Sequence, residues 1–175
     1  MIDVKVVGLD MATSLIENMD IQQFASDLVE ELAKEGVALA KDNLRSQHFT
    51  NYPSELEQSV QYVVNRNQKP ARATISADAG FAAYVEYGTG IVGKNSPSPS
   101  ASIKGIVYDR NNHGDGGWVY FKNGKFRWTK GQTSKPFMYE TAQQLTELVP
   151  SVAERLLKKR FGKRKNLLER LRGKR

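Results

Sequence analysis

The residues most suggestive of chemistry are Gly88-Thr89-Gly90-Ile91-Val92-Gly93-Lys94, which satisfy both GxGxxG and GxxxxGK. In those spacings backbone amides and a lysine cradle phosphates. A phosphate loop also needs a Ser or Thr after the lysine to hold magnesium, and a helix whose positive end faces the phosphate. Here Asn95 follows the lysine, and Pro97 and Pro99 stand where a helix must propagate. No alternation of strands and helices surrounds the segment, so a bound nucleotide or other cofactor is not expected.

Asp109, Asn111, His113, Gly114 and Asp115 repeat the alternate ligands of a calcium loop, with glycine at the sixth place. The closing bidentate glutamate would fall at Tyr120, so the match fails where charge matters most and no metal site is expected. The chain has no cysteine, which excludes a thiol nucleophile, a thiolate metal site and a disulfide framework. Its two histidines, His48 and His113, lie near a helix end and in a glycine-rich loop, neither of which holds a base rigidly against a serine. Glu86 is a single carboxylate among tyrosines, and one carboxylate is not an acid/base pair. No catalytic residue is assigned and an enzyme is not expected.

Length and charge bound what remains. A chain of 175 residues, 39% hydrophobic and 26% charged, fits one domain with appendages. No apolar run reaches the ~20 residues of a membrane span, and the start lacks the pattern of a signal peptide, so a soluble intracellular protein without membrane contact is expected. The net charge of +7 is carried by the end of the chain: residues 155–175 hold 11 basic residues against Glu169, while residues 1–154 hold 15 basic and 18 acidic ones. The expected division is a domain over 1–154 and a basic tail over 155–175. In the tail Lys158, Lys159, Arg160, Lys163, Arg164, Lys165, Arg170 and Arg172 are interrupted by Leu167, Leu168 and Leu171. Contact with DNA phosphates, docking on an acidic or apolar protein surface, and a solvated tail all fit that composition.

The elements that must position these groups are legible by periodicity. Ile2, Val4, Val6 and Val7 before Gly8 read as a short edge strand. Asp20 and Gln23 resemble a capping box. Ile21, Phe24, Ala25, Leu28, Leu32, Leu39 and Leu44 then mark a long amphipathic helix over about 21–46, with Asp27, Glu30, Glu31, Lys34, Glu35, Lys41 and Asp42 outside. Leu56 to Asn65 begins as helix or turn and becomes a strand, paired across Asn67 and Pro70 with Ala71 to Ala77. Phe81 to Tyr87 is short and aromatic, and 91–117 reads as a loose insertion. Trp118-Val119-Tyr120-Phe121 and Phe126-Arg127-Trp128, around Asn123-Gly124, form a second hairpin. Pro136 suits the start of a final helix with Phe137, Ala142, Leu145, Leu148 and Val149 on its apolar face; Pro150 is expected to kink or break it. The class is α+β: an N-terminal and a C-terminal helix packed on a small, mostly antiparallel sheet.

Ala83-Tyr84-Val85-Glu86-Tyr87-Gly88-Thr89-Gly90, followed by Ser134-Lys135-Pro136-Phe137-Met138 and Ala142, resembles a family of small structural proteins of long-tailed, siphophage-type bacteriophages. These are described as tail components or head-to-tail neck and tail-completion proteins. The resemblance rests on about a dozen letters, and the order of elements over roughly 10–149 agrees with it. It implies a non-catalytic virion protein at the head-tail junction, assembled in the bacterial host cytoplasm. Its implied partners are its own copies in a ring, neighbouring neck, head-completion or tail proteins, and packaged DNA through the tail. Tyr84, Glu86, Gly88, Thr89, Gly90, Pro136 and Phe137 are the implied motif or interface residues, with Glu86 capping a backbone amide or pairing with a neighbouring subunit. The insertion over 91–133 and the basic tail are extra to the family pattern. A non-catalytic nucleic-acid-binding accessory protein, acting through the tail, is the alternative.

Overall fold

The computed structural model describes residues 21–49, 53–67, 71–100, 106–109 and 111–172, with only the helical backbone described over 163–172. The expected edge strand at Ile2 to Gly8, the cap at Asp20 and the turn residue Pro70 lie outside these residues.

Helix α1 (Ile21–Ser46) spans the predicted length, but its deepest line is not the leucine stripe. Ser26, Ala33, Gly36, Ala40, Asn43 and Leu44 are buried, Leu28, Leu32 and Leu39 are half-buried, and Ile21 is exposed. Close approach explains the shift. A Cβ on Gly36 would stand 2.8 Å from Leu145 Cδ1 and collide with Ile75, so small residues occupy the line where neighbours touch α1 and the leucines flank it.

Helix α2 (Ser54–Gln58) leads into β1 (Val60–Asn65), which pairs antiparallel with β2 (Arg72–Ala77). Val60↔Ala77, Tyr62↔Ile75 and Val64↔Ala73 lie on the more buried face, while Gln61, Val63 and Asn65 are exposed. A slip of one residue would exchange the faces, which fixes the register.

Two short helices follow, α3 (Ala82–Tyr87) and α4 (Gly90–Asn95). Residues 91–117 were expected to be a loose insertion, and the start of that stretch is instead helical; α4 stops at Asn95 with Ser96 as its cap, so, as expected, no helix propagates through Pro97 and Pro99. Strands β3 (Trp118–Lys122) and β4 (Lys125–Thr129) form the expected second hairpin, with Asn123 and Gly124 both at positive φ in its turn. Strand β5 (Gly131–Gln132) bridges back to Thr89 and Gly90. Among the described residues the two hairpins are separate two-stranded sheets, not one.

Helix α5 (Phe137–Arg172) continues through Pro150, where a kink or break was expected, and across the 154/155 division into the basic segment. Pro150 removes the amide that would serve the Thr146 carbonyl, but both residues are exposed, so water can take that bond. Contacts to α1 anchor the helix on both sides. Before the proline, Asn43 donates to Thr141 Oγ1 (3.0 Å) and Gln144 Oε1 (3.1 Å). After it, Val152 is buried and Arg155 donates to Glu35 at 2.9 Å. These pairs also make α1 and α5 antiparallel. The α+β class is as expected, with both long helices and the small antiparallel sheets in place.

Ala40, Leu44, Leu56, Val60, Val85 and Phe137 form the core, and Phe137 is 0% exposed. Phe137→Ala is expected to lose roughly 3–5 kcal/mol in urea unfolding. Val63→Ala, on the outer face of β1, should stay within about 0.5 kcal/mol.

Candidate functional site

The two segments that carry the sequence motif meet. Val85 turns into the core, and the next side chain, Glu86, is only 6% exposed. Its Oε2 accepts the Met138 N–H at 2.9 Å and its Oε1 the Tyr139 N–H at 3.1 Å. These are the second and third amides of α5, groups that have no partner within the helix. An ionised carboxylate there also faces the positive end of the helix dipole. Pro136, immediately before the helix, has no N–H to satisfy and accepts from the Glu140 amide at 3.0 Å.

The same strand of chain returns the bonds. Ser134 Oγ donates to the Glu86 carbonyl (2.7 Å), the Lys135 amide to the Val85 carbonyl (2.8 Å), and Gln132 Nε2 to the Tyr84 carbonyl (2.7 Å). Three carbonyls near the end of α3 and two of the first amides of α5 are thus bonded across the two segments. This is a clasp between parts of the chain about fifty residues apart.

The glycines belong to this clasp. Gly88 has φ 80° and ψ 176°, a conformation essentially reserved to glycine, and a Cβ on it would stand 2.8 Å from the Gln132 carbonyl oxygen and 2.9 Å from the Ser134 amide. A Cβ on Gly93 would come within 2.7 Å of the Gly88 carbonyl carbon. Thr89 and Gly90 bridge to Gln132 and Gly131, and the Gly90 amide donates to the Tyr108 carbonyl at 2.7 Å. The GxGxxG spacing therefore has a packing cause: two backbones cross where no side chain fits.

Burial pushes the Glu86 carboxyl above its ordinary value, the two amide hydrogen bonds pull it back in part, and the nearby charge of Glu140 adds to the rise. That carboxyl is shielded and doubly bonded, with its hydrogen bonds directed at α5. Of the two roles implied for it, the geometry gives the cap on backbone amides.

Tyr84 and Lys135 lie at the clasp's outer side. Tyr84 is 38% exposed and borders an open cleft of about 700 Å³ between the body and the β3–β4 hairpin. Lys135 donates to the His48 carbonyl and stands 4.6 Å from the centre of the Phe49 ring. His113 Nδ1 lies 2.9 Å from Asp109 Oδ1, and its ring stacks on Trp118 at 4.6 Å. Hydrogen bonds from the backbones of His113 and Gly114 hold the Asp109 carboxyl below its usual range. Among the described residues no group of three or more His, Asp or Glu side chains is placed to hold a metal, and no helix is long and apolar enough to cross a membrane.

Lys158, Lys159 and Arg160 are on α5 roughly 30 Å along the helix from the clasp. Lys158 pairs with Glu154 at 2.6 Å, and Lys159 is exposed. Lys163, Arg164, Lys165, Arg170 and Arg172 lie on the same helical backbone, their side chains outside the described set. The sequence reading did not single out Asn43, Thr141 or Gln132, because polar partners 98 and 48 positions apart leave no local periodicity. Compared with protein-family models, with curated proteins and with solved structures, the chain finds no match.

Glu86→Ala leaves two buried amides without an acceptor and is expected to lose roughly 1–3 kcal/mol, with Glu86→Gln, which keeps one acceptor, losing less. The pH dependence has a definite sign. Because the native carboxyl holds its proton more tightly than the unfolded one, this group's contribution is full below the ordinary value of 4.5 and is lost as pH rises through the native value. Urea unfolding from pH 4 to pH 7 should fall less steeply for Glu86→Gln than for the parent chain.

Proposed function

We propose that the chain is a structural subunit of the head-to-tail connection of a long-tailed bacteriophage, at a neck or tail-completion station. It works by assembly, forming a ring with its own copies and docking on neighbouring head-completion, neck or tail proteins, with no turnover. The virion's head-tail junction is its place, reached from the host cytoplasm. The observation that carries this reading is the clasp: Ala83 to Gly90 and Ser134 to Met138, the segments that resemble the phage family, hold one another through Glu86, Ser134 and Lys135. The exposed aromatic surface of the second hairpin supports it as well, because an assembly subunit keeps apolar area for its neighbours.

A second reading is favoured by a separate observation. The helical backbone of α5 runs on to Arg172, so the basic residues from Lys158 onward follow one helical track. A cationic helix suits DNA phosphates, either packaged DNA at the junction or nucleic acid in an accessory role.

Electron microscopy of particles from a host in which this gene carries an early stop codon tests the first reading. Separate DNA-filled heads and free tails are expected, and normal infectious particles would overturn it. Removal of residues 155–175 tests the second: DNA affinity that falls steeply with salt should disappear with the segment.

A further inference from the structure

The β3–β4 hairpin is an arm that interleaves aromatic rings with cations. The register places Val119 opposite Trp128 and Phe121 opposite Phe126 on one face, and Tyr120 opposite Arg127 and Lys122 opposite Lys125 on the other. The first face is open to solvent: Val119 and Trp128 are each 59% exposed, Phe121 63% and Phe126 79%. Tyr120 is exposed on the second. From Trp118 to Lys130 the chain has four basic residues, Lys122, Lys125, Arg127 and Lys130, and no acidic one. All four are exposed. Lys34, Arg45, Arg66 and Arg155 on other elements pair with carboxylates, whereas among the described residues no carboxylate pairs with a cation of the arm.

Rings and cations share the same borders. Paired strands lie only about 5 Å apart, so the long stems of Lys122, Lys125 and Arg127 rise beside the two edges that also flank the rings of the opposite face. The Lys130 ammonium stands over the Trp128 ring, 5.5 Å from its centre. The arm is also shaped before it meets anything. Asn123 and Gly124 make a tight turn, Phe121 and Phe126 pack edge to face at 5.2 Å, and the β5 bridges hold the base. A preorganised arm gives up little conformational freedom on binding.

These features select among partners. An apolar protein surface would use the rings and have no use for four unpaired cations. A bilayer takes up a hairpin by its tip, but this tip is Lys122-Asn123-Gly124-Lys125, which would lead two ammonium groups into hydrocarbon. Duplex DNA offers phosphates and groove edges, while its base faces are already stacked on one another. A single strand offers both halves at once: unstacked base faces for rings and phosphates for cations.

We propose that the β3–β4 arm is a binding surface for single-stranded nucleic acid. Bases stack on Phe121, Phe126 and Trp128, and Lys122, Lys125, Arg127 and Lys130 hold the phosphates. Such a surface is tolerant of sequence, because every base has a π-face. It is distinct from the basic segment of α5 and goes beyond the assembly role, so its failure leaves both of those readings standing.

The test uses the full chain, so that the basic segment of α5 is present throughout. Fluorescence anisotropy of labelled oligo-dT and oligo-rU, about 16 nucleotides long, is compared with that of a duplex of the same length. The parent chain should prefer the single strands. Phe121→Ser/Phe126→Ser/Trp128→Ser should keep its circular dichroism and its duplex affinity, while its single-strand affinity falls by more than about tenfold. Phe121→Tyr/Phe126→Tyr/Trp128→Tyr retains three rings and should retain that affinity. Lys122→Gln/Lys125→Gln/Arg127→Gln should reduce the slope of log affinity against log salt by about 2 on the single strand.

Several results would overturn the proposal. A parent chain without preference for the single strand, or a serine variant that binds it unchanged, removes the arm from nucleic-acid binding. An equal loss on the duplex would mean that stacking is not what the rings supply. Loss of binding to phosphatidylglycerol vesicles with oligonucleotide binding intact would reassign the arm to a membrane surface, and weaker self-association with oligonucleotide binding intact would reassign it to a protein neighbour. Should the serine variant misfold, the glutamine variant decides, and an unchanged salt slope there sinks the proposal.

Discussion

A carboxylate hidden from water holds the ends of this fold together. Removing an ionised glutamate from solvent costs several kcal/mol unless hydrogen bonds replace its hydration. Glu86 recovers much of that through two backbone amides and the positive end of the 36-residue helix they open. The bargain is local in geometry but long in sequence. It requires α3 to end at the first turn of α5, and that position in turn brings Val85 and Phe137 into the same core. The upward displacement of its pKa records the residual imbalance: burial outweighs the two bonds.

The glycines follow from that placement. Having delivered Glu86 to α5, the chain must leave α3 without colliding with the segment at 131–135 that returns bonds to the α3 carbonyls. Gly88 adopts an angle pair closed to other residues, and Gly93 lies against it. A spacing that in another setting cradles phosphate here lets backbone lie on backbone. Both uses share one requirement, that nothing project from the α-carbon.

This separates what the sequence makes legible from what it does not. Both hairpins were visible, because alternation and an Asn-Gly turn are local signals, and so was the span of α1. The burial of α1 was misread, since periodicity marks large apolar residues while the closest packing selects small ones such as Ala33, Gly36 and Ala40. Pro150 was expected to kink or break the last helix, and Pro97 to stop a helix from propagating past Asn95. At Pro150 tertiary contacts to α1 on either side outweigh one lost bond, and at Pro97 the helix ends in time. The clasp was legible only in part. The motif pointed to Glu86 and Pro136, but a carboxylate on one helix serving the amides of another leaves no spacing to read.

The distribution of finished and unfinished bonds also bears on function. At the clasp every polar group named has a partner, and the core beside it is closed. In the arm the reverse holds: backbone pairing is complete, while one whole face of side chains remains in water. Exposure of three aromatic rings on two short strands opposes solubility, and the edge-to-face pair of Phe121 and Phe126 across the strands covers only part of that area. One chain thus holds two degrees of completion: a clasp and core whose named groups are satisfied from within, and a hairpin face whose apolar area its own packing leaves uncovered.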